Sequence, residues 1–288
     1  MTKLIAEIGW NHMGDMKLAK EMISAAKESG ADFAKFQTWS VDRLKSGVWD
    51  TDGRREIYEK AELSLDQHIE LKEYCDKLGI EFMSSVFSID DIKLYEKVGS
   101  KSIKIPSFES KNMEMLKYLS TPINGEYKFD HVFVSVGTRT LMEIRKTIGV
   151  ISEMHVDWGE YFDGADRFTI LHCVSSYPCK PSMANLPKIK KLHELIDFTY
   201  GKVGYSDHCE GVEVAKMALD YDVSVIEKHF TIDHDLPGRD NKFAILPDEM
   251  KNLSNYIEMR DEARTSLGDD YIKEETDSRE NYTGRFDG

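Results

Sequence analysis

Eight times along this 288-residue chain a short apolar run gives way to an amphipathic stretch, and that rhythm restricts the fold more than any other feature. The first run, residues 4–9, is followed by a stretch over 16–29 with apolar residues at helical spacing (Leu18, Met22, Ile23, Ala26) and Gly30 as its C-terminal cap. Residues 33–37 read as a second strand. A long polar connection, 38–63, then leads to a helix that Ser64 caps, with Gln67 completing a capping box and Gly79 ending it. Further strands are expected at 80–85, 102–105, 131–136, 168–173, 202–205 and 223–227, alternating with helices at 89–98, 112–119, 140–155, 185–197, 211–221 and 247–262. Eight such units predict an α/β fold of the (β/α)8 TIM-barrel type in one domain over residues 1–265, followed by a polar, loosely packed tail over 266–288. An open doubly wound sheet is the alternative. It would want a glycine-rich phosphate turn after the first strand, and Gly9-Trp10-Asn11-His12-Met13-Gly14 is not one.

Composition narrows the function. Apolar residues make up 41 % of the chain, enough for a large core, yet no apolar run approaches the ~20 residues that span a bilayer, and no secretory signal is visible. The formal net charge of −14 opposes nucleic-acid binding, because a broadly acidic surface repels phosphate backbones. The four cysteines (Cys75, Cys173, Cys179, Cys209) show no metal-site spacing and read as free thiols of a cytoplasmic protein. Small-molecule chemistry without membrane or nucleic acid is the expectation.

In a (β/α)8 barrel the chemistry sits at the C-terminal strand ends. Read in order, those ends hold Glu7, then Lys35 and Gln37, Ser84 and Ser85, Lys104 with Ser107 and Glu109, Ser135, Tyr177, His208 and His229. His208 and His229 follow adjacent strands, so both imidazoles can reach one metal ion acting as a Lewis acid on a carbonyl oxygen. The bland reading is two unrelated histidines satisfied by local hydrogen bonds. Lys35 and Lys104 lie in apolar strand contexts and point towards the barrel mouth. With Ser85, Ser107 and Ser135 they make a cradle for a phosphate dianion, and ion pairs between those lysines and nearby carboxylates can coexist with it. Glu7, Glu109 and Asp240 are candidates for proton transfer. The Asp233-His234-Asp235 cluster reads as solvated loop.

These residues carry a family likeness. The run Ala6-Glu7-Ile8-Gly9-Trp10-Asn11-His12-Met13-Gly14-Asp15 resembles the opening motif of the sialic acid (N-acetylneuraminate) synthases. Ala34-Lys35-Phe36-Gln37-Thr38, Ser206-Asp207-His208 and Glu227-Lys228-His229-Phe230-Thr231 with Pro237-Gly238-Arg239-Asp240 are similar to three further motifs of that family. The resemblance implies a barrel enzyme that condenses phosphoenolpyruvate with an N-acetylmannosamine-like aldose to a nine-carbon 2-keto-3-deoxy acid, releasing phosphate, with Mn2+ or Mg2+ as cofactor. By position, His208 and His229 would hold the metal. Lys35, Ser85, Lys104, Ser107 and Ser135 would hold phosphoenolpyruvate, and Gln37, Ser175, Tyr177 and Asp240 the sugar. Glu7 and Glu109 would move protons, with Lys35 beside them at the reacting centre.

The pattern also departs from the family. Phe108 puts a phenyl ring where the family's motif has glycine, beside the expected phosphate site. The likeness covers the barrel, and the family's C-terminal antifreeze-like domain is expected to be absent, which makes a separate chain carrying such a domain a candidate partner. A homo-oligomer is the other expectation, with Trp39, Trp49 and Tyr58 of the long second loop serving as its contact or as a lid. Two further readings stay open: a related synthase using a different aldose, and a non-catalytic barrel that partners another chain.

Overall fold

The computed structural model describes residues 1–124, 126–155 and 166–285. Eight strands, β1 (Lys3–Gly9), β2 (Phe33–Thr38), β3 (Glu81–Val86), β4 (Ser102–Ile105), β5 (His131–Ser135), β6 (Phe168–Cys173), β7 (Lys202–Asp207) and β8 (Val225–His229), close into a parallel barrel in sequence order. β1 pairs with β2 on one side and β8 on the other, with Glu7 in register with both Lys35 and His229. Helices α1 (Met16–Glu28), α2 (Arg54–Ala61), α3 (Leu65–Leu78), α4 (Ile89–Glu96), α5 (Met113–Ser120), α6 (Leu141–Ile151), α7 (Lys188–Ile196), α8 (Glu213–Ala218) and α9 (Pro247–Ala263) lie between and after the strands. No helix among the described residues is long and apolar enough to cross a membrane.

The pleat explains where the core sits. Alternate strand residues point to opposite faces. One set (Leu4, Ala6, Ile8, Ala34, Phe36, Ile103, Val134, Ile226) packs outward against the helices in the main core. The other faces the barrel axis, where Ile5, Phe33, Met83, Phe133, Leu171 and Val225 form a separate apolar cluster. That cluster floors the barrel.

Local signals hold where the chemistry is local. Ser64 and Gln67 form the expected capping box, Gln67 N donating to Ser64 Oγ at 3.2 Å and Ser64 N to Gln67 Oε1 at 2.8 Å. Gly30 follows α1 at φ 92°, and a β-carbon there would lie 2.2 Å from Ser254 Oγ, so only glycine lets α9 approach. The four cysteines are free and buried.

Three expectations change. The connection over 38–63 is not structureless, since it contains α2. That helix buries only Ala61, so no apolar stripe announces it. It is held by position: a β-carbon at Gly14 (φ 82°) would lie 2.0 Å from Lys60 O, which brings the end of α2 against the loop after β1. The last two strands run two residues further than their apolar runs suggest. Asp207 and Lys228 extend them as a buried ion pair (3.1 Å), with Lys228 Nζ also donating to Cys209 O at 2.6 Å. The tail is exposed but carries a short helix, α10 (Thr276–Asn281), and its last residues, 286–288, lie outside the described residues.

Several buried histidines make folding sensitive to acid. Burial pulls His12 down from its ordinary 6.5 to about 4; His68 adds repulsion, while Asp15 and a backbone bond at Gly9 oppose the shift. Burial also lowers His68 and His172. The unfolded chain therefore binds protons that the native state refuses. The stability that these histidines contribute is fully present above about pH 6.5 and declines as pH falls towards 4, His12 alone accounting for about 3 kcal/mol over that interval. Urea unfolding from pH 7 to 4.5 should show this decline, and His12→Asn, which keeps an acceptor for Gly14 N, should flatten it. An unchanged slope in His12→Asn would assign the decline elsewhere.

Candidate active site

One pleat repeat above the apolar floor the axis-facing residues turn polar. Ile5, Phe33, Met83, Phe133, Leu171 and Val225 are succeeded on the same face by Glu7, Lys35, Ser85, Ser135, Cys173 and Glu227. They open into a cavity of about 690 Å³ at the C-terminal mouth of the barrel. Thirteen of the fourteen candidate residues singled out from sequence line it: Glu7, Lys35, Gln37, Ser85, Lys104, Ser107, Glu109, Ser135, Ser175, Tyr177, His208, His229 and Asp240. Ser84 does not: it sits on the opposite pleat face, bonded to Thr38 Oγ1 at 2.6 Å.

At the base of the cavity two ammonium and two carboxylate groups alternate. Lys35 Nζ lies 2.6 Å from Glu7 Oε2 and 3.6 Å from Glu227 Oε2, and Lys104 Nζ lies 2.7 Å from the same Glu227 oxygen. Lys35 also donates to Ser85 Oγ at 2.9 Å, Ser206 Oγ to Glu227 Oε1 at 2.7 Å, and Gln37 Nε2 to Glu7 Oε1 at 2.6 Å. The lysines read from sequence as a phosphate cradle are thus ion-paired as well. Burial acts against every charge in this group. At Glu7 burial prevails over Lys35 and raises the carboxyl above its ordinary value; at Glu227 burial is outweighed by Lys104 and Lys35, which hold it below. At Lys35 burial is outweighed by Glu227 and Glu7, so its ammonium is held more firmly, whereas at Lys104 burial prevails over Glu227 and lowers it. Glu7 and Lys104 are therefore the members whose charged forms are held least firmly.

On the β7–β8 side the two histidine rings stand 5.6 Å apart. His208 Nδ1 lies 2.7 Å from Val174 O, and because a carbonyl only accepts, Nδ1 carries the proton and Nε2 keeps its lone pair. His229 Nδ1 is buried without a hydrogen-bond partner and lies 3.6 Å from Asp240 Oδ2. Burial lowers His208 to about 4 and His229 well below its ordinary value, so both rings are neutral. Two neutral imidazoles, one with an orphaned nitrogen, fit a divalent cation. Among the described residues no third His, Cys, Asp or Glu completes a cluster around them. Tyr177 packs on His208 at 4.2 Å between ring centres, and burial pushes Asp240 up to about 6, opposed by the neighbouring Trp10 and the charge of Arg239.

The remaining expected groups converge near Gly137. Ser107 Oγ accepts from Gly137 N at 3.0 Å and touches Cys173 Sγ at 3.0 Å. A β-carbon on Gly137 would lie 2.7 Å from Cys173 Sγ and 2.8 Å from both Ser107 Oγ and Ser175 Oγ. Glu109 is half-buried in the loop after β4, where Oε2 accepts from Asn112 Nδ2 at 3.1 Å. His234, in the cluster read as solvated loop, is tied to Ala244 O at 2.9 Å.

Sequence reading missed Glu227, Ser206, Cys173 and an aromatic wall. The signal for Glu227 was present: it stands two residues before His229 and so shares its face. The wall had no such signal. Trp10, Trp39, Tyr58 and Phe87 meet at 5.2–6.2 Å between ring centres, edge to face except for the tilted Trp10–Tyr58 pair. Trp39 is only 6 % exposed, which removes it as an oligomer contact and makes it part of the cavity lining.

Removing Glu227 tests the ion group. Glu227→Gln leaves Lys104 without a carboxylate partner and Lys35 with Glu7 alone, and should lower stability by about 3 kcal/mol. Lys104→Met combined with Glu227→Leu should be less destabilising than the sum of the two singles. A double-mutant cycle in urea reads this coupling, and strict additivity would show that the pair does not interact.

The comparisons with known proteins agree with this geometry. The model of the NeuB family matches residues 22–269. The chain is 37 % identical over 276 residues to an N,N'-diacetyllegionaminic acid synthase of Legionella pneumophila, covering 92 % of this chain and 73 % of that protein. It is 30 % identical to a pseudaminic acid synthase of Helicobacter pylori, covering 93 % and 76 %. The crystal structure of a sialic acid synthetase from Leptospira borgpetersenii, in complex with citrate, superposes with a TM-score of 0.80 at 27 % identity, covering 99 % of this chain and 92 % of that one. A closed eight-stranded barrel whose mouth gathers these motifs, matched over most of its length, belongs to the NeuB family.

Proposed function

We propose that this chain condenses phosphoenolpyruvate with an N-acylated, mannosamine-like aldose to give a sialic-acid-like 2-keto-3-deoxy nonulosonic acid and phosphate, using Mn2+ or Mg2+ held by His208 and His229. The observation that carries the reading is the meeting, in one cavity, of the alternating Glu7–Lys35–Glu227–Lys104 group with the neutral His208/His229 pair. The relatives' names, synthases of legionaminic and pseudaminic acids, support it.

The residues divide the work by charge. Lys35 and Lys104, with the hydroxyls of Ser85, Ser107 and Ser135, bind the phosphate and carboxylate of phosphoenolpyruvate. Gln37, Ser175, Tyr177 and Asp240 orient the open-chain aldose. A divalent ion, when bound, supplies Lewis acidity at the aldehyde oxygen. C3 of phosphoenolpyruvate forms a bond to the aldehyde carbon, whose oxygen takes up a proton, and positive charge develops at C2. Glu7 and Glu227 face that charge, and electrostatic stabilisation is the largest contribution such a site can make. Water adds to C2 and gives up a proton to Glu7, whose raised pKa suits it to accept and return one. Glu109 can serve the same role from the other wall. The bond from C2 to the bridging phosphate oxygen then breaks as the new C2 hydroxyl gives up its proton, which the departing phosphate takes, leaving a ketone and free phosphate.

The test is phosphate release from phosphoenolpyruvate with Mn2+, with and without N-acetylmannosamine or its acylamino analogues. Release should require both sugar and metal and fall at least about 100-fold in His208→Ala. Sugar-independent release, or full activity in His208→Ala, would refute the proposal.

A further inference from the structure

Asp207 and Lys228 form a buried ion pair that takes no part in the chemistry of the cavity. Their side chains are 0 % and 2 % exposed, and Lys228 Nζ lies 3.1 Å from Asp207 Oδ2. They point away from the barrel axis, in line with Tyr205 and Cys209 on one strand and with Ile226 and Phe230 on the other, all members of the main apolar core. Charges moved from water into such a layer are costly, and an apolar pair of similar volume often serves stability as well or better. Stability alone does not account for them.

What the pair holds does. Asp207 and Lys228 are partners at the last rung of the β7–β8 ladder, and each immediately precedes a histidine of the cavity. Beyond that rung the ion pair takes over from the ladder. Asp207 Oδ1 accepts from Cys209 N at 3.0 Å, and Lys228 Nζ donates to Cys209 O at 2.6 Å. Both backbone groups of the residue after His208 are thereby tied to the residues before the two histidines. Tyr205 OH donates to Asp207 Oδ1 at 3.0 Å and fixes the carboxylate in turn. The His208 carbonyl accepts from Cys179 N at 2.8 Å, which seats the loop that lays Tyr177 on the imidazole. His208 thus has a clamped residue on either side, and the clamp is anchored to the strand that carries His229.

We infer that Asp207 and Lys228 are positioning residues: the pair sets where His208 stands relative to His229 and so preorganises the two imidazoles for one divalent cation. This rests on reading those histidines as the cation's holders. Ligand distances in a metal site tolerate only about 0.2 Å, and a hydrogen-bonded ion pair fixes two strand ends more closely than sliding apolar contacts do. Removing a group that orients metal ligands weakens binding about 10- to 100-fold.

Calorimetric titration of the full chain with Mn2+ tests this, with His208→Ala locating the site. Lys228→Met should bind Mn2+ about 10- to 100-fold more weakly than the wild type, Lys228→Arg should recover part of the loss, and the nearly isosteric Asp207→Asn should weaken binding in the same direction. The visible spectrum of Co2+ at the site, which reports ligand geometry, should shift in Lys228→Met and Asp207→Asn. Leu71→Ala is the control for stability. Leu71 is fully buried on α3, which packs on β3, across the ring from β7. A cavity there weakens the fold and should leave Mn2+ affinity and the Co2+ spectrum unchanged. Should Lys228→Met fail to fold, Asp207→Asn decides. Wild-type affinity in either folded variant would overturn the inference, as would no Mn2+ binding by the wild type, undiminished binding in His208→Ala, or an equal loss in Leu71→Ala. Mn2+ binding that depends on the pair, without sugar-dependent phosphate release, would uphold the inference and sink the condensation reading. Release that requires sugar and metal, with affinity unchanged in the variants, would do the reverse.

Discussion

Glu227 is the point on which the site depends. Its side chain lies between two ammonium groups from opposite parts of the barrel, 2.7 Å from Lys104 and 3.6 Å from Lys35, with Ser206 on its second oxygen. β4 and β8 are four strands apart in the ring, so this contact crosses the barrel interior. Only a closed sheet brings residues 123 positions apart into that pair. Removing four charged groups from water is expensive. The arrangement persists because each charge has at least one opposite neighbour above an apolar floor.

The pairing has a chemical consequence. Charges that merely neutralised one another would leave a site with ordinary acids and bases. Here burial and pairing compete to different outcomes at each member, raising Glu7 and Lys35 while lowering Lys104 and Glu227. Environments that separate two carboxyls in this way are how one cavity can hold a proton acceptor beside a permanent negative charge. The remaining walls differ in kind. One presents imidazoles, Tyr177 and Asp240; the other presents Trp10, Trp39, Tyr58, Phe87 and Phe108.

Much of this was legible in the chain. The alternation of apolar runs with amphipathic stretches carries the barrel, because strand and helix periods are local properties. Lysines flanked by apolar residues, as at Lys35 and Lys104, carry their own inward orientation, since the pleat puts the flanking residues on the other face. Other features were illegible for physical reasons. α2 buries only Ala61, so the periodicity that reveals a helix is missing. Trp39 read as surface because its sequence neighbourhood is polar; it is buried by Trp10, Tyr58 and Phe87 from other segments. The ends of β7 and β8 were read short because Asp207 and Lys228 look like loop residues until each is seen to bury the other.

What the sequence determined by itself is the set of elements and which side chains face inward at the mouth, since both follow from periods of 3.6 and 2 along a single strand or helix. What only the tertiary structure decided is who meets whom. The partner of each lysine, the orphaned nitrogen of His229, and the stack of Phe87 on Phe108 all depend on ring closure and strand register. Those are relations between distant segments, set by how eight strands close around a shared floor, and no local pattern encodes a distance across a barrel.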